Sequence, residues 1–297
     1  MKKSKEIKNF LKGMLYLAPT FIILGIFQIY PIIKALAMSF YTKYNYFKHI
    51  VFEYGLDNYI SIFKDDNFIL AMKNTFIFVL GVVPLSIIIA TFLAMILNSN
   101  ILFKKFFNSV LFLPFVTSTV AVSAVWRWIF HSEYGILNHF LGLFGIDPIK
   151  WLIDPKWAMV SLIILSIWKT LGYNILIILT GLQNIDNQYY NAAKIDSANA
   201  WNRFIHITLP LLSPTIFFVM ITSLIGAFKV FSEVYALFHK MPGPVNSCLT
   251  MVYYIYDKLA NQFSYGIASA ASVVLFAIIL VITIVQLYIG RKMVHYK

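Results

Sequence analysis

Several polar side chains stand inside apolar stretches of this sequence, where lipid or a packed core would penalise them. Trp168-Lys169-Thr170-Leu171-Gly172-Tyr173-Asn174 falls near the middle of the apolar run 158–180. Ser223, Gly226 and Lys229 recur at helical spacing in the run 209–231, and Glu233 lies one turn beyond Lys229. An aromatic ring offers an apolar face for stacking, and amide and hydroxyl groups pair with hydroxyls. That chemistry suits a pyranose, which has apolar ring faces and a polar rim. Trp168 and Tyr173 are either packing residues or a stacking platform. Asn174 and Ser223 are candidate partners for hydroxyls. Lys169 either reaches a polar partner between helices or meets a ligand, and Lys229 with Glu233 is either an i, i+4 surface ion pair or part of the same site.

Other chemistries lack their signatures. No Gly-x-x-x-x-Gly-Lys-Ser/Thr occurs, so this chain has no P-loop for nucleotide phosphates. The six histidines are scattered without metal-ligand spacing, and no Gly-x-Ser-x-Gly elbow is present. The sequence therefore supports neither an enzyme active site nor a metal centre.

The polar groups must be positioned by membrane helices. Of 297 residues, 60% are hydrophobic and 12% charged, and the mean hydropathy is +0.77. Apolar runs of about 20 residues recur, each able to cross about 30 Å of hydrocarbon as a helix. The expected fold is all-α and polytopic, a single transmembrane domain over 1–297. Its six spans fall near 15–36, 75–97, 108–130, 158–180, 209–231 and 266–289. Pro19, Pro31, Pro84 and Pro114 interrupt spans as membrane helices tolerate, and 41–66 reads as a loop with a short helix near Leu56–Tyr59. Trp126-Arg127-Trp128 reads as an interfacial anchor around a snorkelling arginine. Six spans put both termini on one side. The basic N-terminus, Lys104-Lys105, and the tail from Arg291 to Lys297 make that side cytoplasmic by the positive-inside rule. The formal charge of +12 is thus accounted for without nucleic acid. The basic stretch Met1–Met14 leads into a long span without a cleavage pattern and reads as a retained first helix. One cysteine, Cys248, excludes an intrachain disulfide.

The most distinctive polar segment joins the fourth and fifth spans, residues 182–208. Ala192, Ala193, Ala198 and Ala200 favour helix, and Asp196 and Ser197 are good N-cap residues for a second helix after them. Trp201, Phe204 and Ile205 line one face of that second short helix, which Leu209-Pro210 should end. Such a stripe either packs under the membrane helices or docks into a partner.

The run Tyr190-Asn191-Ala192-Ala193, Ile195-Asp196-Ser197-Ala198, Phe204, Ile207-Thr208-Leu209-Pro210 and Ser213-Pro214 resembles the "EAA" loop of ABC importer permeases, especially the maltose-type carbohydrate-uptake permeases. Asn191 stands where the family has Glu, and Ser197 where it has Gly in a turn suited to positive φ. Tyr134–Asn138, Gly243-Pro244-Val245-Asn246-Ser247 and Tyr265–Ala270 are similar to further family segments, in the family's order.

The resemblance implies a permease subunit of a di- or oligosaccharide importer in a bacterial plasma membrane, surrounded by lipid. It implies a heterodimer with a second permease, two cytoplasmic ATPase subunits and an extracellular sugar-binding protein. No cofactor is expected in this chain; ATP and Mg would be used by the ATPase. Asn191, Ala192, Ala193, Asp196, Ser197, Trp201, Phe204 and Ile205 would couple to that ATPase. Trp168, Lys169, Tyr173, Asn174, Ser223 and Lys229 are the candidate substrate contacts. The two lysines leave glycerol phosphate or a uronic sugar open as cargo. An ion-coupled secondary transporter is a rival reading, but the spans hold almost no acidic residues; a membrane scaffold would not explain the amphipathic loop.

Overall fold

The computed structural model describes residues 2–45, 48, 50–99 and 102–293; the end of the basic tail, 294–297, lies outside the described residues. Helix α1 (Lys2–Leu24) passes through a π turn (Gly25–Ile29) into α2 (Tyr30–Met38). A hairpin of β1 (Tyr41–Asn45) and β2 (Ile50–Tyr54) comes next, then α3 (Asp57–Lys64), α4 (Asp66–Asn98), α5 (Lys104–Val116), α6 (Thr119–Ile129) and α7 (Ile136–Gly142). The remainder is α8 (Pro155–Gln183), α9 (Asn187–Ile195), α10 (Ala200–Arg203), α11 (Leu209–Phe228), α12 (Ser232–Leu237), α13 (Met251–Tyr256) and α14 (Tyr265–Met293). Among the described residues five helical stretches are long and apolar enough to cross a membrane: Asn9–Met38, Asp66–Asn98, Pro155–Gln183, Ala200–Phe228 and Tyr265–Arg291. A bent pair, α5 with α6, makes a sixth if it is one broken span.

That broken pair corrects the expected continuous third span. α5 and α6 meet at 102°, with Thr117 and Ser118 in extended conformation between them. Thr117 Oγ1 donates to the Leu113 carbonyl at 2.7 Å, so a side chain takes the place of a ladder amide one turn after the bond that Pro114 cannot make.

Prolines elsewhere are absorbed without a break. The Tyr30 amide reaches back five residues to the Gly25 carbonyl, just before Pro31. The Leu209 amide does the same to Phe204, just before Pro210. Each π turn leaves a single carbonyl facing the missing proline N–H and lets the helix continue. Pro210 therefore does not end the second helix of the 182–208 segment. That helix starts at Ala200 and runs on as the fifth span to Phe228, so the end of the 182–208 segment is helically continuous with a membrane helix.

Two compact units divide the chain, Met1–Asp65 with Ile255–Phe276 and Asp66–Tyr254 with Ala277–Lys297. In the first, the antiparallel hairpin was not legible as such in the sequence; its register slips at Thr42 and again between Lys43 and Tyr44. Lys43 and Glu53 pair across it at 2.6 Å, and that hydrogen bond and charge raise the Lys43 pKa. Both side chains are exposed, so the pair adds little stability. Asn58 is the polar anchor of this unit. Its amide donates to the carbonyls of Ser39 (2.9 Å) and Tyr41 (3.0 Å), and Gly266 lies so close that a Cβ there would sit 2.7 Å from Asn58 Nδ2.

The second unit is built on α4, α8 and α11. Ala90 and Ala94, four residues apart and both fully buried, let α4 approach α8 closely, as small residues do in membrane bundles. Ile178, Leu179 and Leu182 of α8 and Leu212 and Val219 of α11 complete that core. Gly172 serves the same end between α8 and α5: a Cβ there would collide with the Leu111 carbonyl oxygen and lie 2.8 Å from Phe112 Cα. Leu80, Ile88, Phe92 and Leu113 are exposed on these helices, as expected where the solvent is lipid rather than water.

Candidate functional site

Three spanning helices each bring one small polar side chain to a common point. Asn174 of α8 is 1% exposed. Its amide donates to Ser86 Oγ of α4 at 3.4 Å, and its carbonyl accepts from Ser223 Oγ of α11 at 3.3 Å. Both bonds are long, so they yield readily to a ligand hydroxyl offering better geometry. The cluster opens on a cavity of about 440 Å³, which Tyr173, Ser166, Lys229 and Glu233 also line. Ser166 is 4% exposed and its hydroxyl has no hydrogen-bond partner. A buried polar atom left unpaired costs about 1–3 kcal/mol, which a bound hydroxyl would recover. Tyr173 stacks on Phe115 with centroids 5.1 Å apart and planes at 23°, so one face of its ring is already covered.

The structure separates the other sequence candidates. Trp168 does not reach the cavity; it packs edge-on against Trp126 at 5.5 Å and 67°, which corrects the platform reading. Glu233 does not pair with Lys229. It accepts from Lys169 Nζ at 2.7 Å across α8 and α12, and the same ammonium donates to Thr119 Oγ1 at the start of α6. Lys169 wins because two elements converge on it where little water competes, whereas Lys229 caps the open end of α11 and is exposed. Arg127 is not a snorkelling anchor: its guanidinium donates to the Ala236 carbonyl of α12 at 2.6 Å. α12 is thereby held at Glu233 by α8 and at Ala236 by α6. Ser86, Ser166 and Phe115 were missed by sequence reasoning. Small hydroxyls are common on apolar helices, and only the packing shows which of them share a cavity.

The segment joining α8 to α11 has the geometry of a stiff elbow. Asp186 Oδ1 caps α9 through the Gln188 amide at 2.9 Å. At its far end Ser197 has φ of 55°, the left-handed conformation that the glycine-like position required. The Ser197 amide reaches Lys194 O at 3.1 Å and the Ala198 amide reaches Ala193 O at 2.9 Å, the Schellman closure. Asp196 and Ser197 therefore end α9 instead of starting the next helix. Asn199 does that, accepting from the Asn202 amide at 2.8 Å. Tyr190 OH and Thr208 Oγ1 lie 3.0 Å apart and tie α9 to the π turn.

Exposure divides the coupling candidates. Trp201 is 67% exposed, while Phe204 and Ile205 are half-buried, and the Trp201 and Phe204 rings lie 5.7 Å apart. Asn191, Ala192, Asp196 and Ser197 are exposed and Ala193 is buried. Ile195, which sequence reasoning passed over, is 85% exposed beside them. An aliphatic residue so exposed at the end of a polar helix was the signal available.

The family model for binding-protein-dependent transport system inner membrane components matches residues 82–295. A lactose transport system permease protein of Rhizobium radiobacter is 38% identical over 287 residues, covering 94% of each chain. A crystal structure of a bacterial ABC transporter involved in the import of the acidic polysaccharide alginate superposes with a TM-score of 0.85 at 25% identity, covering 99% of this chain and 100% of that one. A second, the alginate ABC transporter in complex with an alginate pentasaccharide-bound periplasmic protein, gives 0.83 at 26% identity, with 97% and 96% covered.

Proposed function

Because this chain belongs to the binding-protein-dependent transport system inner membrane components, the permease subunits of ABC importers, we propose that it forms half of an oligosaccharide passage and carries cargo past Asn174. Membership of that family sets aside the ion-coupled secondary transporter. Lactose and alginate are what the relatives carry by name, and both are chains of sugar rings.

The observation that carries the reading is where the polar cluster sits. Ser86, Asn174 and Ser223 meet at a cavity between the very helices, α8 and α11, that the elbow joins. Motion applied at α9 would pass through α10 and the π turn into α11 without a flexible joint, and would change the distance between Asn174 and Ser223. Coupling by population shift requires such a two-state element with different ligand contacts in each state. The exposed Ile195 and Trp201 suit a pocket on a cytoplasmic ATPase pair that binds ATP and Mg. A second permease would close the open side of the cavity. An extracellular sugar-binding protein would deliver cargo on the side opposite the termini; the alginate ABC transporter was solved in complex with an alginate pentasaccharide-bound periplasmic protein. By the positive-inside rule, the basic termini and the Lys104-Lys105 segment support a cytoplasmic elbow.

Sugar uptake by the importer assembled on this chain tests the reading. Asn174→Ala and Ser223→Ala should each lower uptake about fivefold, the effect of about 1 kcal/mol from a lost buried hydrogen bond. Tyr173→Ala should do the same or alter sugar preference. Assembly and basal ATP hydrolysis should stay near wild type. Unchanged uptake and preference in all three would move the sugar out of this cavity and into the partner permease.

A further inference from the structure

Two cavities flank α12, and both present positive charge. Glu233, in the first turn of α12, lines the cavity at Asn174. Leu237, at the last turn, lines a second cavity of about 520 Å³. Arg127 and Lys150 bring full positive charges to that second cavity, which His131 and His239 also line. The Trp151 indole and the Phe130 ring, 5.7 Å apart, contribute aromatic surface to it. In the first cavity Lys229 has neither an ion pair nor a hydrogen-bond partner for its ammonium among the described residues.

The acids do not balance these charges. The chain has twelve Asp and Glu residues, and nine of them (Glu53, Asp57, Asp65, Asp66, Glu133, Asp147, Asp154, Glu233 and Asp257) fall in the loops opposite the termini. Yet Glu233 alone lines either cavity, and Lys169 neutralises it at 2.7 Å. Those loops also carry Lys43, Lys48, Lys64, Lys73, Lys150, Lys156, Lys240 and Lys258 and are close to neutral, whereas the linings of the two cavities are cationic. A cavity walled by low-dielectric protein focuses such a potential and draws in the opposite charge.

We propose that the cargo is an acidic oligosaccharide, with a sugar carboxylate that meets the Arg127–Lys150 cavity first and Lys229 after passing α12. This rests on reading the Asn174 cavity as a sugar site and adds the charge of the sugar. Lys229 is the specificity-determining residue: its ammonium pairs with the carboxylate, while Asn174 and Ser223 serve hydroxyls that any sugar carries. A neutral disaccharide would find the same hydroxyl partners and leave Lys229 without a counter-ion.

The test uses the importer complex purified through a tag on this chain and placed in lipid nanodiscs. Equilibrium binding of radiolabelled digalacturonate is compared with that of lactose, a neutral sugar of the same size. Digalacturonate should bind at least about tenfold more tightly in low salt, with the preference shrinking as salt screens it. Lys229→Gln should abolish the preference without weakening lactose, and Lys229→Arg should restore it. Lys150→Gln should slow digalacturonate association and leave lactose unaffected. Equal binding of the two sugars, or a preference untouched by Lys229→Gln, would overturn the acidic cargo and leave the sugar site standing. Binding of neither sugar would overturn the sugar site, and the acidic cargo with it.

Discussion

Lys169 and Glu233, 64 residues apart in the chain, form a 2.7 Å ion pair with side chains only 16% and 19% exposed. The pair fastens α12 to the middle of α8, and Glu233 faces the cavity that Asn174 and Ser223 share. Two charges removed from water in this way are costly individually and tolerable only together. The relationship accounts for a lysine inside a spanning helix without giving it a role as an ion carrier.

Breaking one side of that pair should therefore hurt more than removing both. Glu233→Ala strands the Lys169 ammonium and should destabilise the detergent-solubilised protein by about 3–5 kcal/mol. Lys169→Met with Glu233→Leu should recover most of that loss. Thermal unfolding of the two single variants and the double variant is the measurement. A double variant as unstable as the sum of the singles would show that the two residues act independently.

At the elbow, Trp201→Ala and Ile195→Ala should release the ATPase while the two permeases stay paired, because exposed apolar anchors seated in a partner's pocket each contribute about 2 kcal/mol or more. Co-purification of the subunits reads this directly. Loss of the permease itself, with no selective loss of the ATPase, would mean that these side chains support the membrane helices instead.

Ser197 holds a left-handed conformation, which costs a non-glycine residue about 1–2 kcal/mol. Ser197→Gly should raise the stability of the elbow by about 1 kcal/mol, and Ser197→Val should lower it, since a β-branched residue fits that region worst. Hydrogen exchange of the Ala198 amide, which closes onto Ala193, would report both directions. Slower exchange in the valine variant than in the glycine variant would contradict the assignment.

Gly172→Ala should disrupt the seat of α5 on α8, since the added methyl meets the Leu111 backbone and not a movable side chain end. Overpacking of this kind costs about 1–3 kcal/mol. A lowered unfolding temperature is expected, whereas Gly226→Ala, with open space around it, should leave that temperature unchanged.

Cys248 lies on the segment between α12 and α13, outside the spanning helices, and is fully buried. Burial pushes its thiol pKa up to about 12. Because the thiolate is the reactive form, raising the pH from about 7 to 9 should leave maleimide labelling of the folded protein slow. A thiol in an unfolded chain, with a pKa of about 8.5, should label faster over the same range. Labelling in denaturing detergent supplies that comparison, and rapid labelling of the native protein at pH 7 would place Cys248 at the surface.

What this sequence determined by itself was mostly local. Apolar runs long enough to cross a bilayer placed the spans, because burying a backbone in lipid demands helix. The glycine-like position at Ser197 was readable because a turn that closes a helix in this way needs a left-handed residue whatever surrounds it. Asn174 and Ser223 stood out because each is costly in lipid unless something answers it. Tertiary structure decided which groups answer one another. Lys229 is four residues from Glu233 and would be its partner in an isolated helix, yet α11 ends at Phe228 and Glu233 turns to Lys169. Pro210 forbids a hydrogen bond but does not forbid a helix, because a π turn next to it absorbs the missing donor. Trp168 and Tyr173 are equivalent as sequence; only the packing of α6 and α5 sets the first edge-on against Trp126, away from the cavity, and the second at its wall. Pairing across a bundle depends on how helices cross, and that depends on small residues such as Ala90, Ala94 and Gly172 meeting backbones distant in the chain.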